Sequence, residues 1–333
     1  MTATAPRSPA RADAVGRGQV ARFTAECTRL WPAGDRPGVK LGLAVSGGPD
    51  SLALLLLASA ARPGAVEAAT VDHGLRPEAA AEAEMVAELC ARLGVPHRTL
   101  AVRLAPGNLQ DQARRARYDA LGEWARERGA QALATAHHAD DQAETVLMRL
   151  NRASGLAGLA GIRARGTWPS TGLTLFRPLL GWRKAELKAL VASTGLIPAQ
   201  DPSNADPRFD RARLREALAT ADWLDPAAIA RSASHLAEAE EALDWAARRE
   251  WDEKVRELDG SYRWSSSSVP RTVQIRVVQM GIEALSGEHA PATAVARLVD
   301  ALDAGGRATL AGVLIDVNKG LWTFHREPPR RGI

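Results

Sequence analysis

Between Leu43 and Ala60 the chain reads LAVSGGPDSLALLLLASA: one apolar run stops at Ser46-Gly47-Gly48, and a longer one begins after Ser51. The first run has the character of a buried strand ending at Val45. The second has that of a helix apolar on every side. Pro49 suits the first helical position, where a missing N–H costs nothing. The paired glycines permit positive φ and close approach of another group to the backbone. The helix start beyond them offers free N–H groups and a favourable dipole to an anion. A bare turn in this setting is a cradle for phosphate. It is not the G-x-x-x-x-G-K-S/T loop, because no lysine follows to grip a terminal phosphate. Asp50 beside the cradle offers a hard oxygen of the kind Mg²⁺ takes, or else complements the helix dipole.

The same alternation recurs. KLGLAVS, VEAATVD, HRTLAVRL, QALATA and LTLFRPL have strand character, and helical stretches cover residues 49–61, 77–93, 109–129, 139–151 and 183–194. This pattern predicts an α/β fold with a doubly wound parallel sheet and helices on both faces. Near-continuous apolar strands agree with burial on both sides. Residues 199–216, dense in Pro, Asp and Asn, read as a boundary or an ordered connector. Helical spacing dominates beyond, through VREL at 255–258, and the end, ATLAGVLIDVNKGLWTFHRE, turns β-like. The expected organisation is a disordered tail over residues 1–20, an α/β domain over 21–204 and a second, mainly helical domain over 205–333.

Two more polar clusters follow strands. Asp72, His73 and Gly74 end the second; His137, His138, Asp140, Asp141 and Glu144 follow the fourth. Asp141 and Glu144, three apart, share a helix face. Paired carboxylates suit a cation, either Mg²⁺ or a substrate ammonium, while the H-E-x-x-H spacing of a zinc site is missing. Each cluster alone also reads as a cap or an acidic helix start. Position favours function. In a parallel sheet the loops after strands one, two and four leave at the carboxyl edge, where α/β folds bind ligands. Arg114, Arg115 and Arg117, after the third strand, form a solvated basic face or a charge partner for phosphates.

Composition narrows the class. No apolar run approaches the ~20 residues of a membrane span. The first twenty residues lack the apolar core of a secretory signal; their Arg-rich, acid-poor character faintly suggests a transit peptide, and a disordered tail is the plainer reading. Cys27 and Cys90 are the only cysteines and form no C-x-x-C pair, which argues against a disulfide framework or thiolate zinc site and fits a reducing compartment. The net charge of +4 lies before Asn204, with 25 basic against 19 acidic residues; after it the balance is 18 against 20. No basic arm announces nucleic acid.

SGGPDS resembles the pyrophosphatase-loop signature of the adenylating ATPases, a mark shared by several activities. Together with VDHGLRPEA, NLQDQARRARY, ATAHHADDQAETVLMRLNRASGLAGLAGI, RPLLGWRKAEL and DPSNADPRFDRARLR it is narrower: the chain resembles the tRNA(Ile)-lysidine synthetases, strongly over residues 40–215. The resemblance implies an adenine nucleotide alpha hydrolase-like fold. It implies ATP-dependent ligation of L-lysine to the wobble cytidine of the isoleucine tRNA with a CAU anticodon, through an adenylated cytidine, releasing pyrophosphate and AMP. Ser46, Gly47, Gly48, Pro49 and Ser51, with Asp72 and His73, would hold ATP and its pyrophosphate, and Asp50 the Mg²⁺ or the lysine. Arg114, His137, Asp141 and Glu144 would surround lysine and the reacting centre. All these candidates precede Arg215, and tRNA would meet the second domain through arginines such as Arg271, Arg276, Arg326, Arg330 and Arg331. A cytoplasmic enzyme without a membrane partner is expected, with a homodimer left open. A related tRNA thiolase would usually carry paired cysteines. An amide-forming ligase would share the loop but not HHADDQAET. A nucleotide-binding sensor would need neither the paired carboxylates nor the helical extension.

Overall fold

A computed structural model describes residues 15–72, 74, 78–102, 109–167, 171–199, 210–266, 268–303 and 305–327; in 109–114 the side chains other than that of Gln112 lie outside this description. The chain forms two compact units, residues 1–235 and 236–333.

The first unit is built on six strands: β1 (Lys40–Ala44), β2 (Val66–Asp72), β3 (His97–Ala101), β4 (Ala130–Ala134), β5 (Arg165–Thr167) and β6 (Thr174–Phe176). Their order is β3-β2-β1-β4-β6-β5. Every pairing is parallel except β5 with β6. The helices are α1 (Arg17–Leu30), α2 (Pro49–Ala61), α3 (Glu78–Leu93), α4 (Leu109–Glu127), α5 (Ala139–Leu150), the single turn α6 (Leu156–Leu159), α7 (Lys184–Ser193), α8 (Asp210–Thr220) and α9 (Pro226–Lys254). The five expected strands and the helices between them are present. The sequence missed β5, which is three residues long and contains a glycine.

α2 explains the sheet's stability. Leu52 through Ala58 are wholly buried, so this helix has no solvent face. It packs with β1, β2, α1, α3 and α7 in one core. Each buried leucine contributes about 1.5–3 kcal/mol relative to exposure. On the opposite face, Tyr118, Leu121 and Trp124 of α4 pack against Ala69, Leu133 and Leu175. Gly42 of β1 makes room there, since a Cβ would stand 3.1 Å from the Trp124 ring. Helices on both faces bury the sheet as expected of parallel strands.

Two expected boundaries shift. α1 begins at Arg17 and Val15 is buried, so the tail expected through residue 20 ends earlier, its first fourteen residues lying outside the described ones. The division between units falls within α9, not near residue 204, because α8 packs against α5 of the α/β unit.

The second unit holds the rest of α9, α10 (Arg271–Ser286), α11 (Ala292–Leu302) and β7 (Arg256–Leu258), β8 (Ser261–Ser265), β9 (Gly306–Leu310), β10 (Val313–Asn318) and β11 (Leu321–Arg326). The strands form an antiparallel sheet in the order β7-β8-β11-β10-β9. Trp264, Trp322, Phe324 and Ile315 are buried with Val277 and Ile282 of α10 and Val295 and Val299 of α11 in its core. The β-like end of the chain is thus a meander. The hairpin β7–β8 is a correction, because helical spacing was expected to continue through Leu258. Asp259 and Gly260, both at positive φ, make its tight turn.

Candidate active site

The strand order reverses direction at β1. The chain steps from β1 outward to β2 and β3, then crosses to β4 on the other side of β1. The loops after β1 and β4 therefore part above adjacent strands and leave a crevice between them, the usual ligand position in this architecture. They carry SGGPDS and HHADD.

The loop after β1 is shaped from within. Gly47 has φ +84°, a conformation that favours glycine, and an added Cβ would lie 3.2 Å from Met85 Cε. Gly48 is the N-cap of α2 at φ −71°, and Pro49 opens the helix. The Ser51 hydroxyl donates to the Gly48 carbonyl at 2.9 Å and accepts from the Ser46 amide at 3.1 Å. Ser51 thus braces the loop, with the Ser46 hydroxyl 3.3 Å away. The Gly47 carbonyl accepts from the Ala199 amide at 2.9 Å. At Gly48 a Cβ would meet only Ser46 Oγ, at 3.7 Å. The backbone therefore favours glycine at 47, while at 48 the space a Cβ would take is left open on the cradle side of the protein contacts. The first-turn amides of α2 have no intrahelical acceptor and point out of the helix start toward the crevice.

The loop after β4 ends in a reciprocal cap. His138 is extended and is the N-cap of α5. Its Nδ1 accepts from the Asp141 amide at 3.3 Å, and Asp141 Oδ2 accepts from the His138 amide at 3.1 Å. The next amide, of Ala139, donates to the Trp182 carbonyl at 2.8 Å. Asp140 Oδ2 accepts from the Lys184 amide at 2.8 Å and from Arg183 Nε at 3.3 Å. Burial alone would raise the Asp140 pKa; the Lys184 amide, Arg183 and His138 outweigh it and lower it. The start of α5 is thus tied to the start of α7.

The two loops meet through side chains. His138 Nε2 lies 3.4 Å from Asp50 Oδ2 and 3.4 Å from Asp141 Oδ2. His138 is 2% exposed. Burial pushes its pKa down, but the Asp50 contact and the charges of Asp141, Asp50 and Asp140 prevail and raise it. Glu144, one turn on, has a side chain 5% exposed and pairs with Arg215 Nε at 2.6 Å and Arg211 Nε at 3.4 Å. Arg215 also stands 3.6 Å from Asp141. Burial would lower the Arg215 pKa, and Glu144, Asp141 and Asp50 raise it instead, holding the guanidinium charged.

Asp50, Asp141 and Glu144 are therefore brought together as expected. Asp72 Oδ1 accepts from the Gly74 amide at 2.8 Å, a local turn. His137 Nδ1 lies 3.0 Å from Thr135 Oγ1. His73 and the Arg114 side chain lie outside the described residues. Sequence reasoning left three members out. His138 stood in the cluster but was not singled out; its signal is an N-cap position three residues before an aspartate. Arg211 and Arg215 were assigned to the second domain, although their i,i+4 spacing places both on one face of α8.

Among the described residues no cluster of three or more His, Cys, Asp or Glu side chains is arranged to hold a metal. One atom nevertheless fits Mg²⁺. Asp50 Oδ1 is buried and has no hydrogen-bond partner among the described residues. Mg²⁺ is commonly held by one or two carboxylates plus substrate phosphates, so a single free carboxylate oxygen beside a phosphate cradle suffices.

Residues 20–221 match the family model for the PP-loop domain, which ends at the close of α8 and so includes Arg211 and Arg215. A tRNA(Ile)-lysidine synthase from Novosphingobium aromaticivorans is 48% identical over 94% of this chain and 95% of its own length. One from Zymomonas mobilis is 42% identical over 88% and 90%. Among solved structures, a U34-tRNA thiolase from Methanococcus maripaludis with its 4Fe-4S cluster is similar at a TM-score of 0.52, with 18% identity, over 66% of this chain and 80% of that one. At that identity the likeness is one of fold.

Proposed function

The chain belongs to the tRNA(Ile)-lysidine synthase family, and from that premise we propose how its residues carry out the ATP-dependent ligation of lysine to isoleucine tRNA. The observation that carries the reading is the meeting of Asp50 with His138 and Asp141, which joins a phosphate cradle to a carboxylate pair.

In the first step the amides of the Ser46–Ser51 loop and the start of α2 hold the β- and γ-phosphates of ATP. The wobble cytidine of the CAU anticodon attacks the α-phosphorus, and the bond to pyrophosphate breaks. Holding the leaving pyrophosphate in a preformed cradle favours adenylyl transfer by positioning and charge stabilisation. Asp50 Oδ1, buried and without a partner among the described residues, would hold Mg²⁺, which would supply charge neutralisation on the phosphates. His138 fixes Asp50 and caps α5, so the two loops keep their spacing. By the family resemblance Asp72, His73 and Arg114 would serve ATP binding and adenylation, with Arg114 in the part of a catalytic arginine.

In the second step Asp141 and Glu144 receive the lysine ammonium, with His137 beside them. Free lysine has a pKa of ~10.4, so one proton must leave before the amine attacks. A carboxylate of this pair takes it. The neutral ε-amine then bonds to the cytidine carbon that bears the adenylate, AMP leaves, and lysidine remains.

The second unit recognises tRNA, and the reaction belongs in the cytoplasm, where its substrates are. No helix among the described residues is long and apolar enough to cross a membrane. Thiolation is disfavoured because burial pushes the only two thiols, Cys27 and Cys90, up to about 12, and both are enclosed. The test is pyrophosphate release with and without tRNA in wild type and Asp50→Asn. Release that depends on tRNA and falls at least a hundredfold in the variant supports the reading; tRNA-independent release at the same rate contradicts it.

A further inference from the structure

The sheet of the second unit has one covered face and one open face. Residues directly opposite on neighbouring strands share a face. Trp264, Trp322 and Phe324 lie on the face covered by α10 and α11. On the other, one straight row crosses all five strands: Arg256 opposite Arg263, Arg263 opposite Thr323, Thr323 opposite Asp316, and Asp316 opposite Arg307.

Charge along this row is unevenly balanced. Arg307 Nε pairs with Asp316 Oδ2 at 2.5 Å. At the other end two exposed arginines stand side by side with no carboxylate in the row between or beside them. Arg256 donates to the carbonyl of its neighbour Val255 at 3.0 Å. Neither it nor Arg263 forms an ion pair among the described residues. Like charges directly opposite on a sheet are destabilising.

The unit does not lack acid to neutralise them. Residues 236–333 contain 15 acidic and 13 basic residues. Several of its other arginines use those acids: Arg249 pairs with Glu253, Arg271 with Asp300, and Arg276 with Glu240 and Asp244. Arg271 and Arg276, which the sequence had suggested for tRNA, are therefore engaged within the fold, and Arg330 and Arg331 lie outside the described residues. Arg248, Arg297 and the third suggested arginine, Arg326, also form no ion pair among the described residues, but Arg256 and Arg263 are the two that stand directly opposite each other on neighbouring strands.

We propose that this open face, centred on Arg256 and Arg263 with the Thr323 hydroxyl beside them, holds the phosphate backbone of the tRNA substrate. The proposal rests on the reading above that the substrate is tRNA. Adjacent strands place the two residues ~5 Å apart at the backbone. Their planar guanidinium forks match phosphate oxygens in pairs, which a lysine does less well. A backbone contact of this kind fixes the orientation of the RNA and carries no sequence information.

The test compares the full-length chain with Arg256→Gln, Arg263→Gln, the double variant and the two Arg→Lys variants. Affinity for the isoleucine tRNA is measured across a salt series, alongside lysine incorporation. Each glutamine substitution should weaken binding about three- to tenfold and reduce the slope of log affinity against log salt by about one. The loss should fall on KM for tRNA rather than kcat, lysine should restore most of the slope, and the melting temperature should stay level or rise as repulsion is relieved. A wild-type chain that makes lysidine while the double variant binds tRNA with unchanged affinity and slope overturns this proposal alone. A wild-type chain that neither binds nor modifies tRNA overturns the functional reading and this face with it.

Discussion

Asp50 Oδ2 lies 3.4 Å from His138 Nε2, so a carboxylate from the loop after β1 touches an imidazole from the loop after β4. Because His138 Nδ1 accepts from the Asp141 amide, hydrogen bonding assigns the ring proton to Nε2, facing Asp50. His138 thus both caps α5 and links the loops. His138→Asn should keep a cap and lose the link, whereas His138→Ala loses both. The alanine variant should be about 1 kcal/mol less stable than the asparagine variant. Both should slow pyrophosphate release at least tenfold. Full activity in the asparagine variant would reduce His138 to a cap.

Gly47 and Gly48 should separate strain from ligand access. Gly47→Ala forces a side chain into a left-handed conformation and toward Met85, which should cost about 1–2 kcal/mol in thermal or denaturant unfolding. Gly48→Ala meets no protein atom closer than 3.7 Å, so the fold should tolerate it. Its effect should appear as a raised KM for ATP and slower adenylation. Normal ATP kinetics in the Gly48 variant would mean that phosphate does not approach there.

Glu144→Gln keeps the shape of the side chain and removes its charge. It should raise KM for lysine or stall the enzyme at adenylated tRNA, with adenylation less affected. Arg215 complicates this, since it holds Glu144 at 2.6 Å. Arg215→Met leaves a buried carboxylate with one partner fewer and should itself cost about 1–3 kcal/mol, discounted for the 29% exposure of its side chain. A double-mutant cycle read on stability and on lysine KM separates the roles. Coupling in stability without any change in lysine KM would make the pair structural.

These arginines mark the limit of what could be read without a structure. The Ser46–Ser51 turn and the acidic start of α5 were legible because local rules govern both: glycine before a helix start, and carboxylates three apart on one helix face. Asp141 and Glu144 could thus be paired from spacing alone. Their partner α8 could not, because it buries no residue and has no strong apolar stripe to announce its packing. Its attachment rests on ion pairs with α5 that only the fold brings together. The β7–β8 hairpin escaped for another reason: at three residues, β7 is too short for period-two alternation to separate it from the end of α9.

Asp140 should make stability depend on pH at the acid end. Its pKa is below the ordinary 3.8 in the folded state, so its contribution is fully present above about pH 4 and is lost as pH falls through the lower folded value. Asp140→Asn should therefore be less stable than wild type by about 1 kcal/mol at neutral pH. Urea melts taken from pH 6 down to pH 2.5 should show that gap narrowing. A gap independent of pH would assign the effect to shape rather than to the charge facing Arg183 and the Lys184 amide.

The most direct measurement is a single-turnover reaction of the purified chain with isoleucine tRNA bearing the CAU anticodon, ATP and Mg²⁺, with lysine first withheld and then added. Without lysine, pyrophosphate should be released in proportion to enzyme and the tRNA should carry an adenylate. Adding lysine should discharge AMP and leave one lysine per tRNA, and Asp50→Asn should fail at the first stage while Glu144→Gln stalls at the second. Lysine transfer at wild-type rates in both variants, with folded protein, would contradict the placement of the chemistry where the loops after β1 and β4 meet.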